Sequence, residues 1–108
     1  MKTIISLLAL VSVMAHASPS SYYYTGNELH HQLGDSSSYF NRGAGSGFIV
    51  GVHDSNSGTF HCTPKEVKIG QIVDVVKQGL NNAPEHRHLP AYVLVNMILM
   101  KAWPCPTK

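Results

Sequence analysis

The residues of this chain best suited to chemistry are its histidines and a single pair of cysteines. The 108 residues include seven histidines and two cysteines, Cys62 and Cys105. Imidazole nitrogens bind zinc, copper and nickel, so a metal site is the first hypothesis that they raise. Six of the histidines follow residue 17: His30, His31, His53, His61, His86 and His88.

The spacing of these histidines does not match a metal-binding motif. No His-Glu-x-x-His pair is present, and adjacent His30 and His31 would point to different faces of a helix. His86 and His88 lie in a predicted loop, where solvent alone accounts for them. We therefore predict no metal site and no cofactor.

Nucleophilic catalysis has as little support. A disulfide-bonded Cys62 cannot act as a nucleophile, and no Gly-x-Ser-x-Gly turn presents a serine. The carboxylates are scattered, with no pair that suggests a general acid and base: Glu28, Asp35, Asp54, Glu66, Asp74 and Glu85. We predict that the protein is not an enzyme.

The two cysteines are the number expected of one disulfide in an oxidising compartment. Joining Cys62 to Cys105 would close a long loop, worth about 4 kcal/mol by the chain-entropy argument. Two free thiols or a redox pair are the alternative, but the Cys-x-x-Cys spacing of redox proteins is absent. The disulfide is the preferred prediction.

The N-terminus has the pattern of a cleavable signal peptide. Lys2 supplies the positive charge, residues 4–14 are almost wholly apolar, and Ala15-His16-Ala17 forms a small-x-small cleavage site. The apolar run is shorter than the roughly 20 residues that a membrane helix needs. We predict a signal peptide over 1–17, a flexible Ser-, Pro- and Tyr-rich leader over 18–25, and one domain over 26–108.

Charge does not indicate a nucleic-acid partner. The formal net charge of the whole chain is +2, without a basic patch or an acidic run. A chain of this size forms one domain with a modest core.

The elements that must position these residues begin with a short helix. Thr25 or Asn27 can cap its start, Leu29 and Leu33 share one face, and Gly34 suits the position just after its end. A polar loop is then predicted from Gly34 through the glycine-rich residues 43–47.

The segment Phe48–Val52 fits a buried strand or a helix by its residues alone. If it is a helix, Gly47 and Gly51 would form a bare strip for close packing. Residues 53–59 are predicted to be a polar turn.

A third element is an amphipathic helix. Thr63, Pro64 and Glu66 have the form of a helix start, with a capping box. The helix must end by Ala83, because Pro84 disfavours helix at the residue before it. Its apolar stripe has helical spacing: Ile69, Ile72, Val73, Val76 and Leu80.

The last helix can begin at Pro90, and it is apolar on two sides. One stripe contains Tyr92, Val95, Leu99 and Trp103; the other contains Ala91, Leu94, Ile98 and Ala102. Such a helix needs cover from two layers, which a small domain is short of. We therefore expect a homodimer with its seam on Tyr92, Val95, Leu99 and Trp103.

Several of these segments together resemble a known family. The segments are Ser46–Val52 followed by Asp54, then Cys62-x-Pro64 with Val67, Gln71 and Leu80, then Pro84-Glu85 with His88, Ala91 and Leu94-Val95, and finally Ala102-Trp103-Pro104-Cys105. In order and spacing they are similar to the Rap/Tai family of periplasmic immunity proteins, which act against amidase effectors of type VI secretion.

The resemblance implies an all-α, single-domain bundle of about four helices with one disulfide, which settles Phe48–Val52 as helix. It also implies a periplasmic homodimer that binds a peptidoglycan amidase, an NlpC-type cysteine hydrolase, and occludes its active site. The alternative is a periplasmic structural or accessory protein of the same fold without a toxin partner.

Family members often carry a second cysteine pair, which this chain lacks. Gln32 and Gly45 look like the matching positions, so both partners are absent together. This departure predicts that only the disulfide between Cys62 and Cys105 remains.

An inhibitor must present a protruding loop or helix edge to the groove of its target, through a few central anchors. Two polar segments could do so, and we expect the partner to contact Asn82, Glu85, His86, Arg87 and His88, together with His53 and Asp54.

Overall fold

The structure is a computed structural model that describes residues 24–107. The predicted signal peptide and nearly all of the predicted leader lie outside the described residues. Four α-helices follow in order: α1 (Gly26–Gly34), α2 (Tyr39–Asn56), α3 (Ile69–Asn82) and α4 (Ala91–Ala102), with one 3-10 turn at Pro84–His86. The predicted all-α fold of about four helices is confirmed, and the described residues contain no strand.

The start of α1 follows directly from its sequence. The Thr25 hydroxyl accepts a hydrogen bond from the Glu28 amide at 3.3 Å, and the Glu28 carboxylate accepts one from the Thr25 amide at 2.7 Å. This capping box satisfies two amides that the helix itself leaves unpaired. The predicted cap at Thr25 is confirmed, and Gly34 is the last helical residue rather than the residue after it.

The predicted glycine-rich loop up to Gly47 is wrong, because α2 already begins at Tyr39. The Ser38 hydroxyl caps it by accepting from the Asn41 amide at 3.1 Å. The helix forms through the glycines because tertiary contacts outweigh their low propensity: Gly45 and Ile49 are buried against the other helices. Helix over Phe48–Val52 is confirmed, and residues 53–56 are its last turn rather than a polar turn.

The expected packing strip at Gly47 and Gly51 is also wrong. A Cβ atom added at either residue would meet nothing within 4 Å, so both face open space. Within α2, the glycine that faces a neighbouring helix is Gly45, where an added Cβ would lie 3.1 Å from Cδ2 of Leu33.

Helix α3 begins later than its sequence suggests. Residues 65–66 form a turn, closed by the Val67 amide donating to the Pro64 carbonyl at 3.1 Å. The helix starts at Ile69. The side chain of Gln71 caps this start by accepting a hydrogen bond from the Lys68 amide at 2.8 Å. The prediction of a start at Thr63 is therefore wrong, whereas the end before Ala83 is confirmed.

One core joins all four helices, and each helix contacts the other three. The buried apolar side chains are Leu29, Leu33, Ile49, Ile72, Val76, Leu80, Ala91, Leu94, Val95 and Leu99. The predicted disulfide is confirmed, with an S–S distance of 1.96 Å between Cys62 and Cys105. Beside it the Cys62 amide donates to the Trp103 carbonyl at 2.8 Å, so the end of α4 is held to the chain that precedes α3.

Candidate partner-binding surface

The turn between α3 and α4 is an ordered structure. Pro84–His86 form one turn of 3-10 helix, in which the His86 amide donates to the Ala83 carbonyl at 3.1 Å. The Leu89 amide then donates to the His86 carbonyl at 2.9 Å. These bonds fix the backbone of the segment that is predicted from the sequence to contact a partner.

Arg87 anchors this turn to the end of α3. Its Nε donates to the Leu80 carbonyl at 2.7 Å, and its Nη2 donates to the Asn81 carbonyl at 3.3 Å. Carbonyls in the last turn of a helix have no partner within the helix, so the guanidinium satisfies groups that would otherwise need water. Sequence reasoning grouped Arg87 with the partner contacts, and the structure gives it this bond within the chain as well.

The start of α1 supports the same turn from the other side. The Asn27 amide donates to the Arg87 carbonyl at 2.7 Å, and the Gly26 amide donates to the Leu89 carbonyl at 2.9 Å. A Cβ at Gly26 would lie 2.9 Å from the Arg87 carbonyl oxygen, so only glycine fits here without a shift. Sequence reasoning missed Gly26, because no local motif marks a close approach between distant segments.

The polar side chains of the turn other than Arg87 are exposed. Glu85 is 64 % exposed and His86 is 54 % exposed, with 3.7 Å between the Glu85 carboxylate and Nε2 of His86. Asn82 and His88 are exposed as well. The structure therefore brings four of the predicted contact residues together as an acceptor, two imidazoles and an amide on a fixed backbone.

A groove between α3 and α4 begins beside this turn. It has a volume of about 340 Å³. Its lining is mainly apolar, with polar groups from the turn and the end of α4: Gly79, Leu80, Asn82, Ala83, His86, Leu94, Met97, Ile98 and Lys101. Sequence reasoning missed it, although the exposed Met97 within an apolar helix was a signal.

The second predicted contact pair separates in the structure. His53 and Asp54 lie in the last turn of α2, and Nδ1 of His53 lies 2.9 Å from Oδ1 of Asp54. The Asp54 side chain is 71 % exposed, but that of His53 is only 14 % exposed. The His53 ring instead faces His61, with 5.0 Å between ring centroids. Only Asp54 is thus open to a partner.

The four residues of the predicted dimer seam do not form one exposed face. Val95 and Leu99 are fully buried in the core of the single chain, where the other three helices already cover them. Tyr92 is exposed and Trp103 is half-buried. The apolar surface that α4 leaves uncovered consists of Tyr92, Met97 and Met100.

The described residues hold neither a cluster of metal-ligand side chains nor a free cysteine. They hold no group of three or more His, Cys, Asp or Glu side chains placed to bind a metal ion. Both cysteines are in the disulfide. Over residues 24–107, no helix is long and apolar enough to cross a membrane. What the surface offers is recognition by hydrogen bonds, charge and an apolar groove.

The family comparison bears on what such a surface recognises. Among curated proteins, no sequence matches this chain. The family model described as Rap1a immunity proteins matches residues 25–105, which spans all four helices, the turn and both cysteines. Since that match covers well over half of the sequence, the chain belongs to the Rap1a immunity protein family.

Proposed function

We propose that this protein is a periplasmic immunity protein of type VI secretion that binds a peptidoglycan amidase effector and occludes its active site. Membership of an immunity protein family supports binding to a cognate effector and inhibition without catalysis. A signal peptide over residues 1–17 and a disulfide fit an exported inhibitor that meets its target outside the cytoplasm.

The observation that carries the proposal is the fixed turn after α3. Arg87 and the start of α1 hold its backbone, so the segment that carries Glu85, His86 and His88 is already in place before a partner arrives. A preorganised surface loses less conformational entropy on binding than a mobile loop does. The adjoining groove can take an apolar side chain of the effector, while the polar groups above it reach hydrogen-bonding groups in a catalytic cleft.

We propose further that the effector is an NlpC-type cysteine hydrolase. The active site of such an enzyme contains a thiol and an imidazole, both of which act through hydrogen bonds. The carboxylate of Glu85 and the imidazoles of His86 and His88 are suited to pair with those groups. Occlusion then needs only that the turn fills the cleft, so no residue of this chain need react.

The triple substitution Glu85→Ala, His86→Ala and His88→Ala tests the proposal. These side chains are exposed, and the bonds that fix the turn are made by its backbone and Arg87, so folding should be unchanged. We expect affinity for the type VI amidase of the same cell to fall at least about tenfold, with matching loss of inhibition, because such anchors dominate binding. Calorimetric titration and a peptidoglycan hydrolysis assay measure the two.

A matched control replaces three exposed residues on the outer face of α3, Asp74, Lys77 and Gln78, with alanine. This variant should bind as the unsubstituted protein does. Equal affinities of the two triple variants would place the contact elsewhere. Absence of any amidase binding by the unsubstituted protein would instead favour an accessory protein of the same fold.

A further inference from the structure

A buried histidine holds the connection between α2 and α3 in place. His61 is 0 % exposed, and it is the one buried polar or charged side chain in the described part of the chain. All other residues from 57 to 68 are exposed or half-buried. Within residues 57–61, His61 is therefore the one buried side chain, and it can be protonated. Residues 62–68 are held separately, by the disulfide of Cys62 and by Val67, which packs against the core.

The surroundings of His61 suit a neutral imidazole. Its ring faces that of His53, with 5.0 Å between centroids and 30° between ring planes. The Nε2 atoms of both rings are buried, and neither has a hydrogen-bond partner within residues 24–107. At Nδ1, His61 has only the Thr63 hydroxyl at 3.5 Å, whereas His53 has the Asp54 carboxylate at 2.9 Å. A proton added to His61 would thus be a buried charge without a carboxylate partner.

The backbone of the connection is held next to this ring. The Gly58 amide donates to the His61 carbonyl at 2.7 Å, and Gly58 has a φ of 84°, a conformation that favours glycine. One residue further, Cys62 bonds the Trp103 carbonyl through its amide and Cys105 through its sulfur. Release of His61 would therefore free residues 57–61 while the disulfide kept residue 62 attached to α4.

We propose that His61 is a pH-dependent latch, which holds residues 57–61 of the connection against α2 when neutral and releases them when protonated at acidic pH. This inference rests on the free chain and does not depend on the proposed amidase partner.

The direction of the pH effect follows from the groups around the ring. Burial lowers the pKa of His61, and the neighbouring His53 lowers that pKa further. Among the described residues, the side chains placed against His61 are His53 from α2, whose ring contacts the Asp54 carboxylate, and Thr63 from the connection. Helix α4 is joined to the connection through the backbone bond of Cys62 to Trp103 and the disulfide, neither of which titrates. A released imidazole has a pKa of about 6.5, so the released state binds more protons. Docking is then fully favourable above about pH 6.5 and weakens as the pH falls.

Amide hydrogen exchange on the purified protein, corrected for the intrinsic pH dependence, tests the latch. We expect protection of the Gly58 amide to be lost progressively between about pH 7 and pH 5, because the released imidazole takes up a proton that the docked one does not. Amides in the middle of α3 and α4 should keep their protection. Equal protection of Gly58 at both pH values would overturn the proposal.

Three variants make the outcome specific. His61→Leu replaces the imidazole with an apolar side chain of similar size that does not titrate, so protection at Gly58 should no longer depend on pH. His53→Gln removes the neighbouring charge and should move the midpoint to higher pH, which also covers the case in which the leucine variant fails to fold. His31→Gln, at an exposed histidine of α1, should leave the pH dependence of Gly58 protection unchanged. A midpoint unmoved by the His53 substitution would contradict the paired arrangement.

Discussion

Gly47 and Gly79 both lie inside helices, but their surroundings differ. A Cβ at Gly79 would lie 2.7 Å from Cδ1 and Cγ1 of Ile98, because α3 and α4 approach closely there. A Cβ at Gly47 would meet nothing within 4 Å. At the residue scale, Gly79 permits the close packing of α3 on α4, whereas Gly47 leaves α2 without the stabilisation that a side chain would give.

We predict that Gly47→Ala raises the free energy of unfolding by about 0.5–1 kcal/mol, because alanine restricts the unfolded chain and favours helix. Gly79→Ala should lower it by about 1–3 kcal/mol, since the added methyl overfills the contact with Ile98. Chemical denaturation followed by circular dichroism measures both. The same change in stability for the two variants would contradict the packing described.

Individual residues of the turn show how far sequence reasoning reaches. Polar residues bracketed by Pro84 and Pro90 identify an exposed turn, and Glu85, His86 and His88 are exposed as that pattern indicates. The double role of Arg87 could not be predicted, because its carbonyl partners in α3 become neighbours only when the turn folds back.

At the scale of elements, the predicted and observed structures differ mainly at the ends of the helices. Thr63, Pro64 and Glu66 have the residue types of a helix start, but the disulfide and the buried His61 hold the preceding chain in another path. Helix α2 begins at Tyr39 because Ser38 caps it and the buried face of the helix outweighs the glycines. The buried residues of α3, Ile72, Val76 and Leu80, follow the predicted helical spacing. Ile69 of the same predicted stripe is 60 % exposed, because it lies in the first turn of the helix.

The contact between α1 and α2 leads to a prediction about the missing second disulfide. An added Cβ at Gly45 would lie 3.5 Å from the Cβ of Gln32, within the separation of disulfide-bonded cysteines. We expect Gln32→Cys with Gly45→Cys to form a disulfide and to raise the free energy of unfolding by about 2 kcal/mol. Closing this loop in the unfolded chain would by itself stabilise the folded state by about 3 kcal/mol. Crowding of the new side chain against Leu33 offsets part of that gain.

Mass spectrometry under non-reducing conditions, with thiol titration, measures formation of this bond. The matched control, Gln32→Ser with Gly45→Ser, carries the same crowding without the bond and should be less stable than the cysteine variant. Two titratable thiols in the folded cysteine variant would show that the two positions do not face each other.

At the scale of the whole molecule, the exposed apolar side of α4 suggests that a second copy of the chain packs against it. Tyr92, Met97 and Met100 are exposed apolar side chains on a helix whose other side is already buried in the core. We predict that the protein is a homodimer through this face and that Met100→Glu dissociates it, because a charge at such a seam has no partner there. Light scattering coupled to size exclusion gives the mass of each.

Lys77→Glu, on the exposed side of α3, serves as the charge control and should remain dimeric. A monomeric unsubstituted protein at micromolar concentration would contradict the prediction outright. A Met100→Glu variant that stays dimeric would place the seam on another face of the molecule.

The disulfide makes the last two helices part of one covalent ring. Cys62 and Cys105 are 43 positions apart, and the turn of residues 83–89 lies inside the segment that they close. If a protease cut the backbone of that turn, the two fragments would remain joined through the sulfur atoms. The fragment that holds α4 would then stay beside α3 instead of diffusing away. Cleavage could destroy the presented surface, but the bundle beneath it would remain one molecule.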